Sequence, residues 1–312
     1  MTKGKTKWKV FLEVVSTVQW VASFLFLGVA CTLLMFYLMF TSLWPIPTLY
    51  FVWQVVDWHT PERGGRKTTF VRNWRVWEHL RDFFPIKLVK TAELNPNKNY
   101  IVGIHPHGIM CVGAFTCFST ESCGFKELFP GLTSNLVTLA GVFRLPLFRE
   151  YAMCIGLLPV SKKSLTHLLT NRGKGNAVVI VIGGAAESLA SAPGVNILVM
   201  RQRKGFVRVA LEFGADLVPV YAFGENDLFK QVILSEGSLG RRLQNCLKRS
   251  WVSPRVYLLE STWVSCPTGI PSLLLWEVQS QCRSTSKPPR RRWTTFISFT
   301  WRPSPSYSMN TR

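Results

Sequence analysis

The chain carries no charged residue from Val14 to Val56, a stretch longer than the roughly 20 apolar residues that cross a bilayer once. It predicts either two short passes or one long pass followed by a surface segment. Basic residues flank it on both sides: Lys3, Lys5, Lys7 and Lys9 before, and Arg63, Arg66, Lys67, Arg72 and Arg75 after. Positive flanks favour the cytoplasmic side, so the expectation is a basic flank at residues 1–13 and a membrane hairpin at 14–56, with both ends cytoplasmic. The stretch is too long for a signal peptide, and its Trp44-Pro45-Ile46-Pro47 break does not look like a cleavage site.

Residues 57–98 interleave tryptophans with arginines and lysines, the composition of a water–lipid boundary, and are expected on the membrane surface. Beyond them the pattern changes to short apolar runs. Tyr100–Ile104 and Ala177–Ile182 are rich in β-branched residues and read as buried strands. Ile197–Met200 and Leu217–Tyr221 read as further strands. Ser161 is placed to cap a helix over Lys162–Leu169, which Gly173 and Gly175 end. Gly205–Phe213 repeats apolar residues at Phe206, Val209, Ala210 and Phe213, a helical face closed by Gly214. Strand, helix, strand in repetition predicts an α/β domain with a largely parallel sheet, expected over residues 99–250. The polar run Ser119–Pro130 is expected along the approach to its site.

Composition supports the membrane. The 312 residues are 47% hydrophobic with 12 Trp, and 37 Lys+Arg against 17 Asp+Glu give a formal charge of +20. Such a charge suits nucleic acid or an anionic membrane face. The uncharged N-terminal stretch favours the membrane, and no RNA-binding or zinc-knuckle spacing supports a nucleic-acid partner. Eight cysteines show neither CxxC pairs nor Cys/His ligand spacing, so neither a disulfide framework nor a metal site is indicated.

The candidate chemistry lies at His105-Pro106-His107-Gly108, where the first strand ends. Two imidazoles flank a proline of fixed φ, and the glycine admits a ligand close to the backbone, an arrangement suited to a positioned general base. The second strand opens into Gly183-Gly184-Ala185-Ala186-Glu187, with glycines for a tight turn and a carboxylate at once after it. Ligands of such sheets gather beyond the carboxyl ends of the strands, where His107 and Glu187 both fall. No GxSxG elbow and no marked Cys/His pairing are present, which predicts chemistry without a covalent enzyme intermediate.

Taken together these blocks resemble the type 2 acyl-CoA:diacylglycerol acyltransferase family, which includes the monoacylglycerol and wax-alcohol acyltransferases. HPHG at residues 105–108, FREY at 148–151, GGAAE at 183–187 and a run from Arg203 through Gly205, Phe206, Arg208, Ala210, Gly214 and Leu217-Val218-Pro219 to Phe223-Gly224-Glu225 stand in the family's order. The family's YFP block has Phe83 in place of its tyrosine. Phe24, Leu25 and Leu27 match the family's neutral-lipid-binding pattern FLxLxxx, although a plain membrane anchor would look the same. The resemblance implies transfer of a fatty acyl group from acyl-CoA, as co-substrate and with no further cofactor, to a hydroxyl of a mono- or diacylglycerol at the endoplasmic reticulum membrane. It implies His107 as base, His105 shaping the turn or donating to the thioester oxygen, and Glu187 orienting the imidazole. Arg201, Arg203, Lys204 and Arg208 are candidates for the CoA phosphates, the alternative being a solvated or membrane-facing edge. Arg149 and Glu150 would sit in an apolar setting and need one another. Association with a second copy or with paralogues is a further expectation.

After about Ser250 the resemblance stops. From Arg241 to Arg312 there are 12 Lys+Arg and 2 Asp+Glu, with Pro288-Pro289 and Arg290–Arg292, and no ordinary amphipathic helix can be drawn. Residues 251–312 are expected to be a poorly ordered basic tail, read as a shifted frame of the family's C-terminus. A sheet strand would then be missing, and a catalytically silent relative that keeps lipid binding is the alternative to an active enzyme.

Overall fold

The computed structural model describes residues 5–195, 197–229 and the strand at 297–300. The apolar stretch is helical: α1 (Lys7–Ala22), a π-helical turn over Ser23–Leu27 and α2 (Gly28–Met39) run on as one helix, and a tight turn leads into α3 (Pro45–Val56). Among the described residues Lys7–Met39 is the one helix long and apolar enough to cross a membrane. The 12 residues of α3 reach about 18 Å at 1.5 Å each, short of a ~30 Å hydrocarbon core. The long helix is not a core helix, because only 11% of its most apolar window is buried. Phe40, Leu49 and Val56 are 88%, 69% and 83% exposed, a continuous apolar surface of the kind that marks a lipid or protein contact.

Its first turns nevertheless rest on the domain. Glu13, Ser16, Thr17 and Trp20 form the buried face of α1, which packs against α5 (Arg75–Phe83), the helix that follows the short α4 (Thr69–Arg72). Lys5 holds Glu13 at 2.8 Å and Lys9 reaches Asp82 at 3.0 Å. Within residues 57–98, Trp58, Phe70 and Phe83 are exposed, but Trp77 and Leu80 are fully buried in the core. Their three-residue spacing puts both on the inner face of α5, so a sequence that reads as membrane surface is in part domain core.

The remaining elements follow in order: β1 (Lys87–Lys90), β2 (Tyr100–His105), α6 (Val112–Ala114), α7 (Phe125–Leu128), β3 (Thr133–Thr138), α8 (Phe148–Ile155), β4 (Leu157–Pro159), α9 (Lys162–Thr170), β5 (Asn176–Val181), α10 (Gly184–Ala190), α11 (Gly205–Phe213), β6 (Asp216–Phe223) and β7 (Ile297–Thr300). The seven described strands form one sheet in the order β1-β7-β6-β2-β5-β3-β4. Every pairing is parallel except β1 with β7, so the expected parallel α/β sheet is present. Central β2 and β5 are buried almost throughout, as strands covered on both faces must be. On one face α9 and α11 pack through Leu165, Leu168, Val209 and Ala210. On the other, Trp20, Trp77, Phe115 and Phe118 close the larger core.

Three local expectations are corrected. Ile197–Met200 is a loop rather than a strand. Ser119, Thr120 and Ser122 are buried and satisfy helix carbonyls and one another, Thr120 donating to the Thr116 carbonyl at 2.7 Å, so the Ser119–Pro130 run is structural and does not line an approach. In the basic tail, residues 297–300 are a strand between β1 and β6; the rest of 251–312 lies outside the described residues.

Candidate active site

His105 is the last residue of β2, the middle of the sheet, and its ring is buried. Parallel strands deliver the ends of β5 and β6 to the same side, and His105 lies in register with Tyr221. From β5 the chain turns at Gly183 into α10, and Glu187 on that helix reaches back under the histidines. Glu187 is 1% exposed and accepts from three donors. His105 Nδ1 stands 3.0 Å from Oε1 and 3.2 Å from Oε2, the His107 backbone N–H donates to Oε2 at 2.7 Å, and the Val199 N–H donates to Oε1 at 2.9 Å. Burial pushes this carboxyl up, but the hydrogen bonds from His105, Val199 and His107 outweigh it and hold it below the usual carboxylate range. Gly183 makes the arrangement possible, since a Cβ there would lie 2.1 Å from Glu187 Oε2.

The geometry departs from the expected pairing. Glu187 orients the ring of His105 and only the backbone of His107. The His107 ring is held from the other side, with Nδ1 3.0 Å from the Gly108 carbonyl. A carbonyl can only accept, so Nδ1 carries the proton and Nε2 is the lone-pair nitrogen. Burial lowers the His107 pKa below its ordinary value, with the Gly108 contact and Glu187 opposing, and the ring is neutral at pH 7. His105 Nε2, by contrast, is buried with no hydrogen-bond partner among the described residues, an orphaned polar atom of the kind that a bound ligand would satisfy.

Two neighbours were not picked out by sequence reasoning. Cys111, with φ of +55° in the left-handed region, brings Sγ to 3.3 Å from His107 Nδ1, so a Cys/His pair does exist here. Burial pushes its thiol well up, and Glu225 and Glu187 add to this; Sγ donates to the His107 carbonyl at 3.2 Å. The thiol is therefore protonated and engaged, unlike an activated nucleophile. Glu225 is the second: buried, it accepts from the Val112 and Gly113 N–H groups at 2.8 and 3.0 Å, the first free donors of the helix after HPHG. Burial pushes its pKa up to about 7. Gly108 is tied to it, having φ of +60° and space for a Cβ only 2.5 Å from Glu225 Cγ. The sole signal for Glu225 in the sequence is its place at the end of the long signature.

The other candidate residues divide. Pro106, Gly108, Gly183 and Gly184 lie in the two turns that form the site, and Arg203 joins them, donating to the Gly183 carbonyl at 3.4 Å. Arg201, Lys204 and Arg208 are exposed on the segment leading into and along α11. Phe24 and Leu25 are exposed in the π-helical turn of the apolar helix, with Leu27 half-buried. Arg149 and Glu150 belong to a separate cluster. Arg149 is fully buried and donates to the Asp57 side chain and carbonyl, both at 2.9 Å, while Glu150 accepts from the Tyr50 hydroxyl at 2.6 Å. The two lie 3.4 Å apart, so their principal partners are on and just after α3 rather than each other. A buried guanidinium needs a carboxylate, and Asp57 supplies it; the pair ties the short apolar helix to the domain. A hollow of about 270 Å³ beside Tyr221, Phe223, Gly224 and Asp227 opens at the end of β6.

Comparison with known proteins decides the family. The model of the family described as diacylglycerol acyltransferase matches residues 36–261. The chain belongs to the diacylglycerol acyltransferase family. It is 55% identical over 238 residues to diacylglycerol O-acyltransferase 2 of Danio rerio, covering 76% of this chain and 66% of that protein. The Homo sapiens protein of the same name is 56% identical over 233 residues, 75% of this chain and 60% of the relative. The 2-acylglycerol O-acyltransferase 3 of Homo sapiens is 50% identical over 276 residues, 86% of this chain and 81% of that protein. The chain thus spans just under two thirds of the diacylglycerol O-acyltransferase 2 relatives it matches. No solved structure matches it. The family match ends at residue 261, close to the point where the sequence departs from the family pattern.

Proposed function

We propose that this chain is a membrane-bound acyltransferase that moves a fatty acyl group from acyl-CoA to a hydroxyl of a mono- or diacylglycerol. The observation that carries the reading is the pair of histidines at the end of the central strand, one ring held by buried Glu187 and the other neutral, with no hydrogen bond to its Nε2 among the described residues. A hydroxyl is a poor nucleophile at neutral pH, so its proton must leave as it attacks. His107 Nε2 takes that proton, the hydroxyl oxygen bonds to the thioester carbonyl carbon, and the C–S bond breaks. The departing CoA thiolate then takes the proton from His107. His105, when it carries protons on both nitrogens, offers Nε2–H to the thioester oxygen, while Glu187 fixes its ring. The protonated, hydrogen-bonded state of Cys111 supports direct transfer.

The names of the relatives, diacylglycerol O-acyltransferase 2 and 2-acylglycerol O-acyltransferase 3, support an acylglycerol as the acceptor. Phe24, Leu25 and Leu27 are assigned to neutral lipid, and Arg201, Arg203, Lys204 and Arg208 to the CoA phosphates. The exposed apolar helices support insertion in a membrane, assigned to the endoplasmic reticulum, and the basic residues on both flanks support both termini cytoplasmic, with the long helix and the short α3 entering the bilayer and returning to the same side; tags at residues 1 and 312 should both be digested in selectively permeabilised cells. Radiolabelled acyl-CoA, supplied to microsomes with monoacylglycerol, diacylglycerol and long-chain alcohol in parallel, tests the activity and ranks the acceptors.

One observation favours a second reading, a silent relative: the family match stops at residue 261 of 312. Replacing residues 251–312 by the corresponding segment of an intact relative separates the two. A gain in activity per molecule favours the silent reading; equal activity removes it.

A further inference from the structure

At the sheet edge away from His105 lies a cleft of about 610 Å³ between the Pro61–Arg63 turn and the outer face of α9. Its charge is one-sided. Arg63, Lys162, Lys163, His59 and His167 line it, with Glu62 as the one acid in the lining. That acid is occupied, accepting from Ser161 Oγ at 3.1 Å and lying 3.6 Å from His59. Lys162 pairs with Glu212 at 3.1 Å. Arg63 and Lys163 are exposed, and no carboxylate among the described residues lies within 4.0 Å of either. The N-terminus of α9, capped by Ser161, adds its partial positive charge at the same place. The field is felt locally: burial, then Arg172 and Arg63, lower the pKa of His167.

We propose that this cleft is a phosphate-ester site at the membrane surface, with Arg63 and Lys163 as its recognition pair. An arginine fork and a lysine lining one cleft, Arg63 from the turn and Lys163 from α9, are what a phosphate dianion or diester needs, and Thr166 and Asn171 in the same lining offer hydrogen bonds. Depth is set by the sequence just before it. His59 follows directly on Val55, Val56 and Trp58, all exposed, so the cleft opens where the apolar helix ends and headgroups begin. It is distinct from the histidine site, since β4, which leads into α9, lies three positions from β2 in the sheet, roughly 14 Å at the usual strand spacing.

The phosphate could come from the nucleotide end of CoA, which rests on the proposed activity, or from an anionic lipid headgroup, which does not. Both are tested on the full chain in detergent micelles. One arm titrates CoA alone by calorimetry; the other adds radiolabelled phosphatidic acid to phosphatidylcholine micelles and scores the label retained per chain. The combined R63Q/K163Q variant should weaken at least one of these by about tenfold, while Lys126→Gln, an exposed lysine elsewhere, leaves both unchanged. On the native chain, inorganic phosphate should compete with the probe that binds. Loss confined to CoA assigns the nucleotide; loss confined to phosphatidic acid assigns the headgroup; loss of both assigns a shared phosphate subsite. Binding by R63Q/K163Q equal to native in both arms, or no competition by phosphate, overturns the proposal. Because neither arm reads catalysis, failure here is separate from failure of the proposed activity.

Discussion

Replacing Glu187 with glutamine removes charge and leaves shape, and the structure sets the size of the effect. The carboxylate serves His105 Nδ1, the His107 N–H and the Val199 N–H, but an amide has one oxygen. With that oxygen on the Val199 side, an NH2 group meets the His107 N–H; flipped, it meets the Val199 N–H. Either way a part-buried N–H loses its acceptor, costing about 1–3 kcal/mol, and the remaining contacts drop from charged to neutral strength, about 1 kcal/mol each. The sum is about 3–5 kcal/mol, a large part of the ~5–15 kcal/mol that keeps a domain folded. For a domain of this size that is a fall in Tm of roughly 10 °C. The pH dependence has a definite sign. Glu187 is held below the ordinary carboxylate range, so its stabilisation is fully present above the unfolded value of about 4.3 and is lost as pH falls through the lowered folded value. Thermal melts of native and Glu187→Gln protein in detergent, at neutral pH and down into that acid range, should converge as pH falls. A variant melting within about 2 °C of native at neutral pH would refute the idea that this carboxylate holds the site together.

Three other outcomes follow from neighbouring geometry. Gly183→Ala should abolish activity and lower the melting temperature, because its methyl would lie 2.1 Å from Glu187 Oε2; a fully active alanine variant would show that α10 can shift freely. The acid limb of kcat/KM should fall below pH ~6.5, since the base must be neutral and His107 has a lowered pKa; a limb above that value points to another base. Asp57→Asn should destabilise by about 3–5 kcal/mol by stranding the buried Arg149, and should do so without changing the pH profile of whatever protein remains folded.

What the sequence discloses tracks how local its physics is. β2, β5, β6, α9 and α11 are apolar runs or amphipathic helices bounded by glycine, and each stands where the pattern puts it. β3 is hidden because it opens Thr-Ser-Asn, polar side chains that look like loop but are buried: Ser134 donates to the Phe118 carbonyl at 2.7 Å and Asn135 is fully buried. β4 has three residues, too few to show a period. Ile197–Met200 has strand composition, yet its Val199 N–H is committed to Glu187 instead of a neighbouring strand. The HPHG turn is legible because histidine, proline and glycine declare a special backbone. Which ring Glu187 would meet is not, since the two residues are 82 apart and both rings lie within one turn. Glu225 gives no local hint of its bonds to Val112 and Gly113, more than a hundred residues away. The FREY charges are expected to need one another, but their principal partners are Tyr50, inside the apolar stretch that sequence alone assigns to lipid, and Asp57, the first residue after it.

The central claim is that His107 accepts the proton of the acceptor hydroxyl. It is tested by measuring acyl transfer from radiolabelled acyl-CoA in microsomes carrying equal amounts of native, His107→Ala and His105→Ala protein. General base catalysis contributes about 100- to 10,000-fold, so His107→Ala should lose at least about 100-fold with membrane association unchanged, and His105→Ala should lose less. A His107→Ala enzyme within about threefold of native, or a His105→Ala loss that exceeds it, would contradict the assignment.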